Sequence, residues 1–315
     1  MSLFVYAMRR ILSAIPVLLG VSIGVFLMLH LAPGDPAVIV AGADAPPETV
    51  AAVRSELGLD RPLYEQYWMY LKRLLQGDLG RSIRSREPVV ELLAQTFPNT
   101  LALAVGGTAV AVSVSIPLGV VSAVRRNSWV DNLSRFLALL GASVPIFAVG
   151  LALMWVFGYW LRLFPLSGNG GSVLSWQGLW HLVLPAVSVS FYTLAVLTRL
   201  TRSSMLEAVK QDYVRTARAK GLSEVVVVYR HALRNALLPV VTLAGIQFGH
   251  LLAGAVVTET IFAWPGMGRL AVAAILSRDF PVVQGVILVI SIMFVLINLA
   301  VDIVYAVIDP RIRYG

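Results

Sequence analysis

Very few residues of this 315-residue chain are placed to do covalent chemistry. It contains no cysteine, which excludes disulfides, thiolate metal sites and a cysteine nucleophile. His30, His181, His231 and His250 are dispersed and no His-Glu-x-x-His occurs, so no metal site is expected. Gly141 and Ser143, with His181 or His250, are the raw material of an intramembrane hydrolase, but no second motif fixes their geometry. The segment Gly77-Asp-Leu-Gly-Arg-Ser82 has the outline of a phosphate loop and lacks its lysine, and no Gly-Lys-Ser or Gly-Lys-Thr occurs anywhere. The other polar candidates sit in or beside apolar runs. Gln247 and His250 are three residues apart and share a helical face, which either lines a path or packs. Glu259 and Asp302 stand at the ends of such runs, as gate or interhelix partners or simply as interface residues.

The elements that position these groups follow from composition. With 58% hydrophobic and only 13% charged residues, the chain needs lipid rather than water as its main solvent. Six runs free of Asp, Glu, Lys and Arg, 11–31, 100–124, 136–161, 182–198, 236–258 and 282–301, approach or exceed the roughly 20 residues that span a bilayer. The first is read as a retained helix, because it is longer than the 7–15 apolar residues or so of a signal peptide, although Ala41-Gly42-Ala43 is a cleavage candidate. Prolines 117, 145, 185 and 239 fall in or at the ends of runs, where neighbouring helices can satisfy the freed backbone groups. Gly106-Gly107 and Gly249 with Gly254 are expected to let helices approach closely. Formal charges are confined to span ends, which disfavours an ion-coupled secondary transporter.

The net charge of +8 sets orientation rather than nucleic-acid binding, since no basic face is free of membrane. Arg9 and Arg10 precede the first run; Arg125, Arg126 and Arg135 lie between the second and third. Eight Lys or Arg residues from Arg199 to Arg234 lie between the fourth and fifth, and Arg311 and Arg313 follow the last. These segments are expected to be cytoplasmic, with both termini. The insert 32–99 is then external, as long loops cross regardless of charge. It is expected to fold as two helices: 47–57, ended by Gly58, and a second capped by Asp60, in which Leu63, Tyr67, Tyr70, Leu71 and Leu74 share a face before Gly77. Trp68 is interface-type surface that packs on the rim or meets a partner. The resulting organisation is 1–31 (N-terminus and first span), 32–99 (external insert), 100–307 (core, with a cytoplasmic loop 199–235) and 308–315 (cytoplasmic tail).

The loop 203–235 is predicted to be two helices joined by a glycine. Ser204 and Glu207 have capping-box spacing, after which Leu206, Val209, Tyr213 and Ala217 fall on one face and the other is basic. Gly221 takes a left-handed helix-ending position and Ser223 can cap the next helix. A rigid bent finger transmits displacement to the spans on either side. From composition and capping alone, a loop that merely sets topology accounts for the residues equally well.

The run Asp212-Tyr-Val-Arg-Thr-Ala-Arg-Ala-Lys-Gly221, with His231-Ala-Leu-Arg-Asn-Ala-Leu-Leu-Pro239, closely resembles the coupling loop of the dipeptide/oligopeptide/nickel subfamily of ABC importer permeases. In order along the chain, Pro33-Gly-Asp-Pro36, Leu57-Gly-Leu-Asp-Arg-Pro-Leu-Tyr64, Gly77-Asp-Leu-Gly-Arg-Ser82, Phe262-Ala-Trp-Pro-Gly-Met-Gly-Arg269, Arg278-Asp-Phe-Pro-Val-Val-Gln284 and Asp309-Pro-Arg-Ile-Arg313 also resemble that subfamily. Of the broader Glu-Ala-Ala-xxx-Gly signature only Ala217 and Gly221 match, a departure of the kind the subfamily shows. The resemblance implies an all-α, six-span, type I importer-like permease with a small periplasmic helical insert and no catalysis of its own. It implies a coupling surface of Glu207, Asp212, Tyr213, Arg215, Thr216, Ala217, Arg218, Lys220 and Gly221, docked in a groove of an ATPase subunit, with Ala217 and Gly221 permitting close approach. Implied partners are a second homologous permease, two ATPase subunits that carry ATP and Mg, and a periplasmic or lipid-anchored solute-binding protein facing the insert and Trp264, Pro265 and Gly266. Dipeptides or short oligopeptides are the implied cargo, with glutathione and nickel chelates next.

Overall fold

The computed structural model describes residues 3–31, 35–42, 44–56 and 58–308, and among them every regular element is helical. A long first helix, α1 (Leu3–Leu31), leads into three short ones, α2 (Pro36–Ala41), α3 (Pro47–Glu56) and α4 (Leu63–Leu75). The core follows with α5 (Val89–Val124), α6 (Trp129–Ser143), α7 (Ile146–Leu153) and, after a π-helical turn, α8 (Trp176–Ala208). The chain then makes α9 (Asp212–Ala219), α10 (Glu224–Val226), a second π-helical turn, α11 (Leu233–Gly254), α12 (Val256–Ile261), α13 (Met267–Leu276) and α14 (Phe280–Ile308). Asp302's side chain, residues 309–315 of the tail with Asp309-Pro-Arg-Ile-Arg313, part of Pro33-Gly-Asp-Pro36 and Leu57 lie outside what is described.

Among the described residues, five helical stretches are long and apolar enough to span a membrane: Met8–Met28, Val89–Val124, Trp176–Ala208, Glu224–Leu252 and Phe280–Val301. The expected third run is not one rod. It bends by 108° between Trp129–Ser143 and Ile146–Trp160. Pro145 keeps the preceding Val144 extended (ψ 128°), which ends α6 and lets α7 start in a new direction. Counted as one broken span, the pair brings the total to six.

Small residues set how close the helices come, as expected where lipid removes the hydrophobic drive between spans. A Cβ on Gly107 would lie 2.4 Å from Val189, and one on Gly119 2.6 Å from Thr201, so α5 and α8 touch nearly backbone to backbone. Gly141 does the same for α6 against Ala195 of α8. The close approach of α11 to α14 comes at Gly245, where a Cβ would lie 2.4 Å from Val301, rather than at Gly249, where one would lie an ordinary 3.4 Å from Phe294. Large apolar side chains such as Ile11, Leu12, Ile15, Leu139, Phe147 and Leu151 face outward, the reverse of a soluble protein.

The insert forms the two expected helices, and the second docks by the expected face except at its first position. Leu63 is exposed and Asp60 caps nothing; Pro62 stands at the start of α4. Tyr67 and Tyr70 turn inward onto α1 as expected, joined by Gln66: Tyr67 pairs with Ser22 at 2.9 Å, and Gln66 Oε1 meets His30 Nε2 at 2.9 Å. Phe26 packs against His30, Tyr67 and Tyr70, and burial pushes the Tyr70 hydroxyl up to about 12. Trp68 remains on the surface. Residues 89–99, grouped with the insert by sequence, are the first turns of α5, whose 36 residues at about 1.5 Å each exceed the bilayer core.

Candidate functional site

At one end of the bundle α9 and α10 form an elbow around Gly221. The glycine has φ +76°, a left-handed conformation an L side chain resists, and a Cβ there would meet nothing within 4 Å. Its requirement is therefore conformational and not steric. Across the bend, Arg218 donates to Glu224 through Nε (3.0 Å) and Nη2 (2.6 Å), a fork that closes the angle between the arms and raises the guanidinium's affinity for its proton. Ser223 starts the second arm in extended backbone without a side-chain cap bond.

The elbow is seated by an apolar underside. Val214 and Ala217 of α9, with Val227, Val228 and Ala232 of the second arm, pack on Val120 and Ala123 of α5 and on Met205 and Ala208 of α8. Asp212, Tyr213, Arg215, Thr216, Arg218, Lys220 and Gly221 face outward, and Glu207 is exposed at the end of α8. Two expectations are corrected. Ser204 and Glu207 lie inside α8, so no capping box starts a helix there, and the turn 209–211 resets the phase. Ala217 is consequently 5% exposed and turned into its own chain, where it cannot line a partner's groove, while Tyr213 is 39% exposed.

Beside the elbow lies a buried ionic node that the sequence did not single out. Asp131, fully buried in the first turn of α6, receives Arg202 Nε (2.6 Å) and Nη2 (2.9 Å) from α8, Ser122 Oγ (2.6 Å) from α5 and the Asn127 backbone N–H (2.9 Å); Arg135 lies 3.6 Å away. Both basic residues were read as topology charges. The available signal was Asp131 as the single acid among the residues between the second and third runs, three after Ser128, whose hydroxyl caps α6.

At the opposite end, the residues expected to face a binding protein are folded inward. Trp264 is fully buried and donates its indole N–H to Asn99 O (2.9 Å); Asn99 Nδ2 reaches Pro265 O (3.0 Å), and Gly266 is buried. Glu259 is fully buried too. It accepts from Thr100 Oγ1 (2.7 Å), from the Arg269 N–H (2.9 Å) and from the Gly268 N–H. Burial raises its carboxyl above the usual carboxylate range, with the three donors pulling the other way. Gly266 is needed for closeness, since a Cβ would sit 2.2 Å from a Glu259 oxygen. A second tie joins two segments far apart in sequence: Asp279 accepts from Ser82 Oγ and from the Ile83 N–H (3.1 Å). Gln247 is half-buried and His250 exposed on α11, the His250 ring 6.1 Å from Phe294; the structure does not join them to Glu259.

Chemistry of the hydrolase or metal kind finds no assembly among the described residues. Ser143 donates to Leu139 O, His181 Nδ1 meets Gln177 O, and no group of three His, Asp or Glu is arranged around a common point. What the geometry offers is a lipid-embedded helical body with a stiff basic elbow at one end and a buried, hydrogen-bonded loop at the other, the form of a transport subunit.

The chain belongs to the family of binding-protein-dependent transport system inner membrane components, which it matches over residues 115–314, with the family's N-terminal region matching residues 3–104. It is 44% identical to the dipeptide transport system permease protein DppB of Alkalihalophilus pseudofirmus, over 98% of this chain and 99% of that one. It is 46% identical to the glutathione transport system permease protein GsiC of Escherichia coli K12, again over 98% and 99%. Its fold is shared by a chain of the MetNI methionine ABC transporter, with TM-score 0.57 over 70% of this chain and 97% of that chain at 17% identity.

Proposed function

We propose that this chain is half of the translocation pathway of an ATP-driven importer for dipeptides or short oligopeptides delivered by a solute-binding protein. A second homologous permease completes the pathway, and two ATPase subunits holding ATP and Mg drive it. The observation that carries the reading is the elbow. Its apolar underside is spent on α5 and α8, while a row of polar and basic residues from Asp212 to Gly221 is presented outward on a rigid, fork-locked bend. A displacement imposed on that surface moves the ends of two spans together. In this reading the elbow, both termini and the Asp131 node are cytoplasmic, and the insert with the Glu259 loop is external, in keeping with the Lys and Arg of the elbow side. Glutathione is a second cargo, favoured by GsiC relatives at 46–47% identity.

The test is uptake by proteoliposomes holding the full complex. Uptake that needs ATP supports an importer, and uptake driven by an ion gradient alone refutes it. Within that assay Gly221→Val is expected to abolish ATP-dependent uptake with membrane insertion intact, because a β-branched residue resists φ +76° by about 1–2 kcal/mol and reshapes the docking bend. Unchanged uptake would remove the elbow from the mechanism.

A further inference from the structure

The elbow touches α5 and α8 directly, yet nothing in its apolar underside reaches α6, the first limb of the broken span. The connection is made by Asp131. Its carboxylate is held by donors from two helices and a turn: Ser122 near the end of α5, Arg202 two turns before the end of α8, and the Asn127 N–H of the turn into α6. Met205 and Ala208, one and nearly two turns beyond Arg202 on α8, lie in the elbow's seat, and Ala123, next to Ser122 on α5, lies there too. An ion pair with a fully buried acid and side-on guanidinium geometry resists shear between the helices, because sliding either one strands a charge. From α6 the chain continues to the 108° bend at Val144-Pro145.

We propose that Asp131 is a positioning residue that bolts α6 to the elbow body, so that displacement of the elbow reaches the broken span. Without it, α5 and α8 would still follow the elbow, while α6, left with packing contacts such as Gly141 on Ala195 that permit sliding, would follow less tightly. The proposal rests on the importer reading for its consequence in transport, but its mechanical part is measured independently.

The absence of native cysteine allows spin labels to be placed cleanly at Arg230→Cys on the second arm and Leu139→Cys on α6, both exposed positions. In the full complex, with and without ATP, the wild-type background is expected to give one narrow distance that does not change, and Asp131→Asn a broadened or nucleotide-dependent one. The same Asp131→Asn complex, without labels, is expected to retain ATP hydrolysis and to lose at least about tenfold in substrate taken up per ATP hydrolysed, the size of a coupling of about 1.4 kcal/mol. Arg202→Lys, which keeps the charge but not the fork, is expected to fall between the two. A nucleotide-dependent Arg230–Leu139 distance in the wild-type background would overturn the proposal. So would an Asp131→Asn variant with a wild-type distance, or with uptake reduced only in proportion to the amount of assembled complex. If wild-type uptake proved independent of ATP, the importer reading would fail, and the distance arm would still decide whether Asp131 holds α6.

Discussion

The two ends of the molecule each bury a carboxylate completely, and they solve the resulting electrostatic problem in opposite ways. Asp131 meets a guanidinium that forks onto both of its oxygens, and helices come to it. Glu259 meets only dipoles: the Thr100 hydroxyl of α5 and, from the first turn of α13 a few residues further along the chain, two backbone N–H groups. A charge pair joins side chains from separate helices and breaks if either one moves, so the elbow end behaves as a bolted joint. Backbone donors belong to one local fold, so the opposite end behaves as a preformed clasp. Its closeness depends on Gly266 having no side chain. The contrast teaches that burial of a carboxylate does not define its role; the ownership of its partners does.

The comparison breaks most severely at the bolted end. Arg202→Ala leaves Asp131 buried with Ser122, Asn127 and the more distant Arg135, and removal of one member of a buried pair costs about 3–5 kcal/mol. Thermal unfolding of the detergent-purified protein is expected to shift down by several degrees, and Asp131→Asn in the same protein to recover part of the loss by removing the stranded charge. A null shift for Arg202→Ala would mean that the node is solvated and not a bolt.

At the clasp the expected effect is smaller and depends on pH. Glu259→Gln replaces one acceptor oxygen with an NH₂ that confronts donors, a cost of about 1–3 kcal/mol. The wild-type carboxyl, raised by burial, keeps its proton to higher pH in the folded protein than in the unfolded chain. The folded state therefore binds more protons in the window above the ordinary value of 4.5, and wild-type stability falls as pH rises through that window and then levels. The gap between wild type and Glu259→Gln is expected to be widest at the acid end and to narrow as pH rises. A gap that is flat or widens with pH would show that the donors outweigh burial.

Much of this architecture was legible because lipid is an unforgiving solvent: a span must be apolar for about 20 residues, whatever it packs against. The break at Val144-Pro145 was not. Pro98, Pro117, Pro185 and Pro239 all sit inside helices that continue through them, so a proline in a run does not by itself announce a bend. The elbow was legible at Gly221, where one residue type meets one backbone conformation. Its inner face was not, because the phase depends on the turn 209–211, and a three-residue break puts Val214 inside in place of Tyr213. Trp264 illustrates the same limit at the other end. An aromatic in a connecting loop reads as partner-facing surface until its N–H is seen to reach Asn99, 165 residues away. The two fully buried carboxylates were least visible, since partners drawn from α5, α8 or α13 have no spacing in sequence.

A third ion pair sharpens the contrast from the exposed side. Arg218 and Glu224 have the same forked geometry as Arg202 and Asp131, but their side chains are 39% and 56% exposed against 20% and 0%. Water already solvates both partners, so Arg218→Gln strands nothing, and such pairs are worth about 1 kcal/mol or less. The melting temperature of the isolated subunit is expected to move little, and that small movement to vanish at high salt. In the assembled complex, by contrast, loss of the fork frees the angle between the elbow's arms, so uptake is expected to fall severalfold with stability unchanged. A melting shift as large as that of Arg202→Ala would mean that the elbow's fold depends on this fork as the helix junction depends on Asp131, and the division between a buried bolt and an exposed brace would fail.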